Sequence, residues 1–488
     1  MASSVEAPAN GAQLKRNAIS TLGVVVLVLS VASPLIGLTG AVPSAMVLGN
    51  GLGVPLAYVA VGIILLFFSI GFVAMSRQVT NAGALYAYVG RGLGMPMGLG
   101  AAGLALWAYT TIQLAVYGFF GVVFTGTVNA WWGINIPWYV ATFGLIALVQ
   151  IFGYLQIEVG ARVLLVVMAL EWTVMLLLAA AILVKGGAGE GFAVAEVWSP
   201  SNLAGAGAVV GLVFAFASMF GFEASAIYGE EARNPKKAVA RAAVISILMI
   251  TAFFAFTSWM LIVGYGPSKA IDAAAATLQS GNPAQYVFDA GATYLGSWAP
   301  NVMSIFVITS LFACSLAFHN GIARYQYTLA RDGIFPRVLS RTNSHGSPYM
   351  SSFLQTATAL VIIILAVVTN SDPVLVVFFW GSGISVVAIV ALYVLTGIAV
   401  IAYFRRNPQA DGRTWNTLIA PAISGLVLLV ALYFIVYNLD LLVGTSKGEA
   451  LLLAATTVVA FLIGVGLYAL RKRSLSPEAL ADLAEEVM

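Results

Sequence analysis

Two glutamates lie inside long apolar runs, where carboxylates are rare. Glu171 falls near the middle of the run 159–184, and Glu223 falls within the run 206–231. A charged group at bilayer depth is costly to bury, so such acids mark ion, proton or substrate sites by default. The structural alternative is a glutamate that hydrogen-bonds neighbouring helices and fixes their packing. Function is the favoured interpretation for Glu223, whereas Glu171 could titrate, pair with a cationic substrate or brace two helices.

A short stretch within the first apolar run, 20–46, is predicted to interrupt its helix. Pro34 lacks an N–H and clashes with the preceding turn, and Gly37 permits dihedral angles closed to other residues. A proline kink without a break is the alternative. If the break forms, the outer half-helix begins near Gly37–Leu38, and its free N–H groups face an anion such as a carboxylate. Carbonyls left open near Ser33–Leu35 would face a cation such as an ammonium group.

The sixth apolar run carries a second candidate break, in a place that matches the first. Gly221 alone is a weak signal, but Glu223 at the start of an inner half-helix would accept hydrogen bonds from free N–H groups. Lipid cannot satisfy main-chain groups at this depth, so both breaks must line a cavity. Paired breaks in two halves of a membrane domain point to a transporter's substrate site. The predicted site comprises Ser33, Pro34, Leu35, Ile36 and Gly37 together with Ser218, Phe220, Gly221 and Phe222.

The chain is predicted to be an all-α integral membrane protein. Of its 488 residues, 61% are hydrophobic and 8% are charged, against about 25% charged in soluble domains. Apolar runs of about 20 residues recur from end to end, enough to cross the hydrocarbon core. A single cysteine, Cys314, rules out an internal disulfide framework. Twelve spans are predicted, at residues 20–46, 54–75, 95–128, 134–154, 159–184, 206–231, 239–264, 297–330, 349–369, 373–404, 415–437 and 449–470.

The distribution of basic residues predicts how these spans are oriented. With the N-terminus in the cytoplasm, 19 of the 22 Lys and Arg residues fall inside, and only Lys185, Lys269 and Lys447 fall outside. This bias is the positive-inside pattern. Both termini are therefore expected in the cytoplasm, and the chain in the cytoplasmic membrane. The outer stretch 265–296 is expected to hold short surface helices, and the tail 476–488 an amphipathic helix.

Other polar residues within the spans carry weaker signals. Gln113 lies at helical spacing from Tyr109 and Tyr117 and could face a pore, although tyrosines in membrane helices are more often packing or belt residues. His319 could relay protons, but a hydrogen-bonded interior histidine is the simpler interpretation. Ser310 could offer its hydroxyl to a sodium ion or could hold two helices together.

Several function classes find no support in the sequence. No clustered His, Cys or acidic residues have transition-metal spacing, and no P-loop pattern indicates ATP-driven pumping. No basic soluble domain indicates nucleic-acid binding. A channel would lack a ring-forming filter motif, and an intramembrane enzyme would lack a nucleophile–base constellation. No cofactor is expected. The predicted partners are a small solute, a proton or sodium ion, and the lipid bilayer.

Four segments resemble the amino acid–polyamine–organocation transporters. The most specific, FASMFGFEASAIYGEEARNPKKAVARA (Phe216–Ala242), resembles their sixth helix and the loop after it. ARYQYTLARDGIFP (Ala323–Pro336) resembles the loop after their eighth helix. GALYAYVGRGLG (Gly83–Gly94) is similar to their link between helices two and three, and SPLIGLTGAVPSAM (Ser33–Met46) to a variant of their first helix. The resemblance covers about the first ten spans.

This resemblance implies the LeuT-like fold, which has two inverted five-helix repeats and here two further helices. The implied units are a cytoplasmic tail 1–19, repeats 20–184 and 206–404, helices 11 and 12 at 415–470, and a second tail 471–488. Substrate would lie near the midplane between spans 1, 3, 6, 8 and 10.

The resemblance also implies roles for individual residues. Ser33–Gly37 would receive the substrate's amino and carboxyl groups through the main chain, and Phe216, Phe220 and Phe222 would wall or gate the pocket. Glu223 matches a glutamate that members carry just past the helix-six break, where the resemblance implies proton sensing.

The chain departs from the family pattern in two places. It has Ser-Pro-Leu-Ile-Gly where many members have a Gly-Ser-Gly run, and it has Glu171 where some proton-coupled members have a lysine. The lysine mechanism therefore does not transfer, and an acid there is compatible with a cationic substrate or a proton relay.

The combined expectation is a secondary transporter that moves an amino acid by alternating access. Proton symport is the favoured coupling, with Glu223 or Glu171 as carrier. An amino acid exchanger, a transporter of amines such as putrescine or ethanolamine, and a non-transporting amine sensor remain alternatives. Two buried acids raise the odds of a cationic substrate such as lysine or arginine. Monomer and homodimer are both left open.

Overall fold

A computed structural model describes residues 20–79, 84–155, 161–219, 221–227 and 232–472. Within these ranges the regular elements are all helices. Ten of the described helices are long and apolar enough to cross a bilayer, and a bent pair of helices, counted as one span, would make eleven. The prediction of an all-helical membrane protein is confirmed at this level.

The part of the chain up to residue 185 begins with a broken first span. Its parts α1, α2 and α3 follow one another almost without a gap, and a π-helical turn at Gly37–Ala41 joins the last two. The bounds are α1 (Thr21–Ala32), α2 (Pro34–Ile36), α3 (Val42–Leu48), α4 (Val54–Ser76), α5 (Ala84–Leu93), α6 (Met95–Trp132), α7 (Trp138–Tyr154) and α8 (Ala161–Lys185).

The middle of the chain contains the second broken span and two short helices. The short helices α13 and α14 confirm the prediction of helices between residues 265 and 296. They pack against α3 and α15 respectively, so they cover the ends of the spans. The bounds are α9 (Val194–Val197), α10 (Gly205–Ser218), α11 (Ala224–Ile227), α12 (Pro235–Tyr265), α13 (Ala270–Gln279) and α14 (Gln285–Leu295).

The last part of the chain adds five long apolar helices and the short helix α19. π-helical turns at Pro373–Phe378 and Trp415–Ile419 lead into α17 and α18. The predicted helix at 476–488 lies outside the described residues. The bounds are α15 (Ala299–Arg331), α16 (Tyr349–Val368), α17 (Phe379–Arg406), α18 (Ala420–Tyr437), α19 (Leu439–Val443) and α20 (Lys447–Lys472).

The helix α6 occupies the centre of the packing. It contacts α17, α20, α15 and α5, while α1 packs against α12, α15 and α8. Helices α16, α18 and α20 present many exposed aliphatic side chains, such as Leu426 and Leu452. An apolar outer surface of this kind faces lipid, and the buried polar groups lie inside it.

Small residues bring α6 and α20 into close contact. A Cβ on Gly464 would collide with the carbonyl oxygen of Leu99, and one on Gly103 would collide with the carbonyl oxygen of Ala460. Helices in lipid associate through such close approach, because the apolar solvent gives no hydrophobic drive between them.

Replacing Gly464 with alanine should therefore weaken the packing of α20 on α6. The added methyl group meets rigid backbone, and overpacking of this kind costs about 1–3 kcal/mol. We expect a lower midpoint of thermal unfolding in detergent. Gly466→Ala is the matched control, because nothing lies within 4 Å of a Cβ at that position. Equal midpoints for the two variants would contradict the contact.

Candidate functional site

The first span breaks at a single residue, Ser33. Its φ of 42° and ψ of 66° lie in the left-handed region, which few non-glycine residues adopt. The cause is local, because the ring of Pro34 disfavours a right-handed helical conformation in the residue before it. Proline also suits the first position of a helix, where its missing N–H has no partner to lose. The chain therefore leaves α1 at Ala32 and starts α2 at Pro34.

This break is shorter than predicted, so two expectations about its main chain were wrong. The outer half-helix begins at Pro34 and not near Gly37–Leu38. The carbonyls expected to be open near Ser33–Leu35 are partly occupied: the Ser33 carbonyl accepts from the Ile36 amide at 2.9 Å. The Leu35 carbonyl accepts from the Thr39 hydroxyl at 2.8 Å. The Ile36 amide, which would be the regular helical donor to the Ala32 carbonyl, bonds the Ser33 carbonyl instead, so the Ala32 carbonyl loses this partner at the turn.

The second break lies where it was predicted. Helix α10 ends at Ser218, and α11 resumes at Ala224. Gly221 has a φ of 109°, a conformation that side chains with a Cβ rarely adopt. Phe220, a predicted site residue, lies outside the described residues.

The two breaks meet at one cavity. A Cβ built on Gly37 would lie 3.0 Å from the Ser218 Cβ and 2.5 Å from the ring of Phe254. That ring stacks on Tyr58 with centroids 4.4 Å apart, and the Tyr58 hydroxyl lies 3.1 Å from the Ser218 hydroxyl. Phe254 and Tyr58 therefore pack against both breaks, at Gly37 of the first and Ser218 of the second.

The cavity is lined mainly by apolar groups. The centre of a water-sized molecule can occupy about 40 Å³ of it. Its polar lining consists of the hydroxyls of Ser33, Ser218 and Ser382 and the thiol of Cys314, and no charged side chain of the described residues lines it. The remaining lining residues are Ala32, Ile36, Gly37, Ala41, Ile112, Val116, Phe214, Ala217, Phe318 and Phe378.

The aromatic walls differ from the predicted ones. Phe214 lines the cavity, whereas Phe216 is buried elsewhere and is not among the lining residues that the structure describes. Helical geometry is the reason, because Phe214 and Ser218 are four residues apart and share a face, and Phe216 points away from it. Phe222 also lies away from the cavity and packs 5.6 Å from Tyr393, centroid to centroid.

Glu223 is fully buried beneath the second break and is held by uncharged donors. Tyr109 donates its hydroxyl to Oε1 at 3.1 Å, and Tyr393 donates to Oε2 at 3.0 Å. The Gly221 amide donates to Oε2 at 3.2 Å. The carboxylate thus joins the second break to α6 and α17. Tyr393 was missed by the sequence analysis, since nothing in the linear pattern distinguishes it from other tyrosines of the spans.

Glu171 is also buried, with 4% of its surface exposed, and it connects to the first break. The Ser310 hydroxyl donates to its Oε2 at 3.1 Å. The Ser33 hydroxyl lies 3.1 Å from the Ser310 hydroxyl. A continuous chain of side chains therefore runs from α8 through α15 to the left-handed turn.

Comparison with known proteins gives a family. The sequence profile of the family described as amino acid permease matches residues 23–475, most of the chain. The chain belongs to the amino acid permease family. The function of its relatives is transport and not enzymatic catalysis, as was predicted.

Three curated relatives of this permease have distinct substrates in their names. It is 22% identical to the branched-chain amino acid permease BcaP of Bacillus subtilis, over 79% of this chain and 80% of that protein. It is 24% identical to the lysine-specific permease LysP of Lactococcus lactis, over 57% and 54% of the two chains. It is 24% identical to valine/tyrosine/tryptophan amino-acid permease 1 of Saccharomyces cerevisiae, over 64% and 51%.

Gln113 and His319 hold helices of the permease together. Gln113 donates to the Ser315 carbonyl at 3.1 Å and accepts from Gln355 at 2.8 Å. The His319 ring nitrogen Nε2 lies 2.8 Å from the Ser352 hydroxyl. These contacts tie α6 and α15 to α16, which favours the packing role for both residues.

Removing the Ser310 hydroxyl should destabilise the permease through Glu171. Ser310→Ala leaves a buried carboxylate without its donor, which costs about 1–3 kcal/mol. We expect a lower thermal midpoint, and Ser304→Ala is the control because its hydroxyl bonds only within α15. In a double-mutant cycle with Glu171→Gln the two effects should not add. Additive effects would mean that the two side chains do not interact.

Proposed function

We propose that this permease is a secondary transporter that carries an amino acid across the cytoplasmic membrane by alternating access, in symport with a proton. The observation that carries the proposal is the convergence of two broken helices on one buried cavity. Polar main-chain ends at bilayer depth require a partner, and an amino acid zwitterion supplies both charges. Exchange of one amino acid for another is the second mode of transport that this site would support.

Main-chain groups at the first break would bind the zwitterion. The carbonyl of Ala32, a residue that lines the cavity, suits the ammonium group. The N-terminal end of the continuous helical stretch Pro34–Leu48 suits the carboxylate. The two breaks approach each other closely at Gly37 and Ser218, so the second break would contact the same solute.

The proposed architecture has twelve spans in the LeuT-like arrangement, with repeats 20–184 and 206–404 and two further helices in 415–470. Corresponding interruptions in α1 and α10, the first span of each repeat, support it. The positive-inside distribution supports cytoplasmic termini.

In this orientation the Glu223 cluster lies on the cytoplasmic side of the cavity. Helix α6 runs outward, so Tyr109 precedes the lining residue Ile112. Helix α17 runs inward, and Tyr393 follows Ser382 by eleven residues, or about 16 Å along the axis. The hydrogen bonds of Glu223 would thus hold an inner gate closed by linking the second break to α6 and α17.

Protonation gives each acid a route to coupling. A protonated Glu223 is a weaker acceptor for two tyrosine hydroxyls, so the gate would loosen. Protonation of Glu171 would alter the hydrogen bonds that connect it through Ser310 to Ser33. Glu223 is the first candidate carrier, because its hydrogen bonds cross the exit path itself.

Transport itself is tested by counterflow in proteoliposomes. Vesicles loaded with an unlabelled mixture of amino acids should concentrate the labelled amino acid transiently, because a carrier exchanges its substrate across the bilayer. Empty vesicles are the control. Binding of amino acids, seen as a raised thermal midpoint, without any counterflow would assign the chain to the non-transporting sensors.

Proton coupling is tested by Glu223→Gln. Wild-type uptake should rise as the external pH falls, and the glutamine variant should flatten this dependence because glutamine mimics a permanently neutral acid. Glu196→Gln, at an exposed site on α9, is the matched control. Unchanged uptake and an unchanged pH profile would exclude Glu223 as carrier, and the same measurement on Glu171→Gln would test the second candidate.

The names of the relatives leave the substrate open. A branched-chain permease and a lysine permease match this chain at 22% and 24% identity. These two identities are too similar to favour a neutral over a cationic substrate side chain.

A further inference from the structure

We infer that this permease selects α-amino acids with uncharged, mainly aliphatic side chains and discriminates against lysine, arginine and diamines. This inference rests on the proposed function and names the substrate class of the same site. It reverses the expectation that two buried acids favour a cationic substrate.

The cavity has polar groups beside the two breaks and an aliphatic surface on α6. Its hydroxyl groups belong to Ser33 and Ser218 at the breaks and to Ser382 on α17. Helix α6 contributes Ile112 and Val116, and α15, which also packs against α1 and α2, contributes Cys314 and Phe318. Residues spaced by four on a helix share a face, so Ile112 and Val116 form one continuous aliphatic surface. A solute held by its zwitterionic head would place its side chain against this surface.

The carboxylate of Glu223 is committed to other partners. Both oxygens accept hydrogen bonds from Tyr109, Tyr393 and the Gly221 amide. The rings of Phe222 and Tyr393 pack beside it. An ammonium group could reach this acid only by displacing the tyrosines.

Glu171 does not line the cavity and connects to it through the first break. The hydroxyl of Ser310 joins its carboxylate to Ser33, which is a lining residue. The proposal assigns the substrate's head group to this break, and the described hydrogen bonds give Glu171 no connection to the aliphatic walls of α6. A cationic side chain that points toward those walls would therefore find no carboxylate.

The absence of a counter-charge decides the selectivity. Burying an ammonium group without a paired carboxylate costs several kcal/mol. Norleucine and lysine differ only by the terminal ammonium group, so their comparison isolates this effect. We expect the ratio of kcat/KM for norleucine over lysine to be about 100 or more.

The first experiment measures counterflow of leucine, norleucine, lysine and putrescine by the purified wild-type protein in proteoliposomes. Leucine and norleucine should be transported, and lysine and putrescine should not compete. Isoamylamine, which is leucine without its carboxylate, should also fail to compete. Lysine transported as well as norleucine would overturn the inference but leave the permease function intact. If no amino acid shows counterflow, the proposed function itself fails.

A second experiment tests whether the substrate side chain contacts the aliphatic surface of α6. Ile112→Ala enlarges the cavity beside α6. The ratio of phenylalanine transport to leucine transport should therefore rise by about tenfold, as expected for a change of one or two methylene groups. Ile112→Val is the matched control and should shift it less. Equal preferences in all three proteins, each with an unaltered thermal midpoint, would place the substrate side chain elsewhere.

Discussion

The need to satisfy main-chain polar groups inside a bilayer governs this structure. Helix breaks at Ser33 and Gly221 leave peptide groups without intrahelical partners, at a depth where lipid offers none. The two breaks adjoin each other, and the hydroxyls of Ser33 and Ser218 line one small cavity between them. A solute that brings its own positive and negative charge can complete what the chain lacks. The walls that α6 and α15 contribute determine which side chain can accompany that head group.

The two glutamates inside the spans are held by uncharged donors, and no basic side chain of the described residues pairs with either. Tyr109 and Tyr393 hold Glu223, and Ser310 holds Glu171. A buried ion pair with an arginine would fix each acid in its charged form and would be costly to separate. Hydroxyl groups can hydrogen-bond to either protonation state, because each can donate or accept. The arrangement therefore suits groups that change protonation while helices move apart.

Each acid is joined to a different break. Glu223 links the second break to α6 and α17. Glu171 on α8 connects to the first break through Ser310 of α15. The stack of Phe254 on Tyr58, which also reaches Ser218, keeps the breaks together from the opposite side. Each break therefore has contacts to its own carboxylate and to the other break.

The sequence by itself determined the class, the breaks and the two acids. Long apolar runs require helices, proline at position 34 ends one helix, and a carboxylate within such a run is too costly to be accidental. The tertiary structure alone decided that Tyr393 reaches Glu223, that Phe214 rather than Phe216 faces the cavity, and that neither acid lines it. Those facts depend on the rotation of each helix about its axis and on contacts between residues more than a hundred positions apart. Local propensity carries no information about either, because packing between helices sets them.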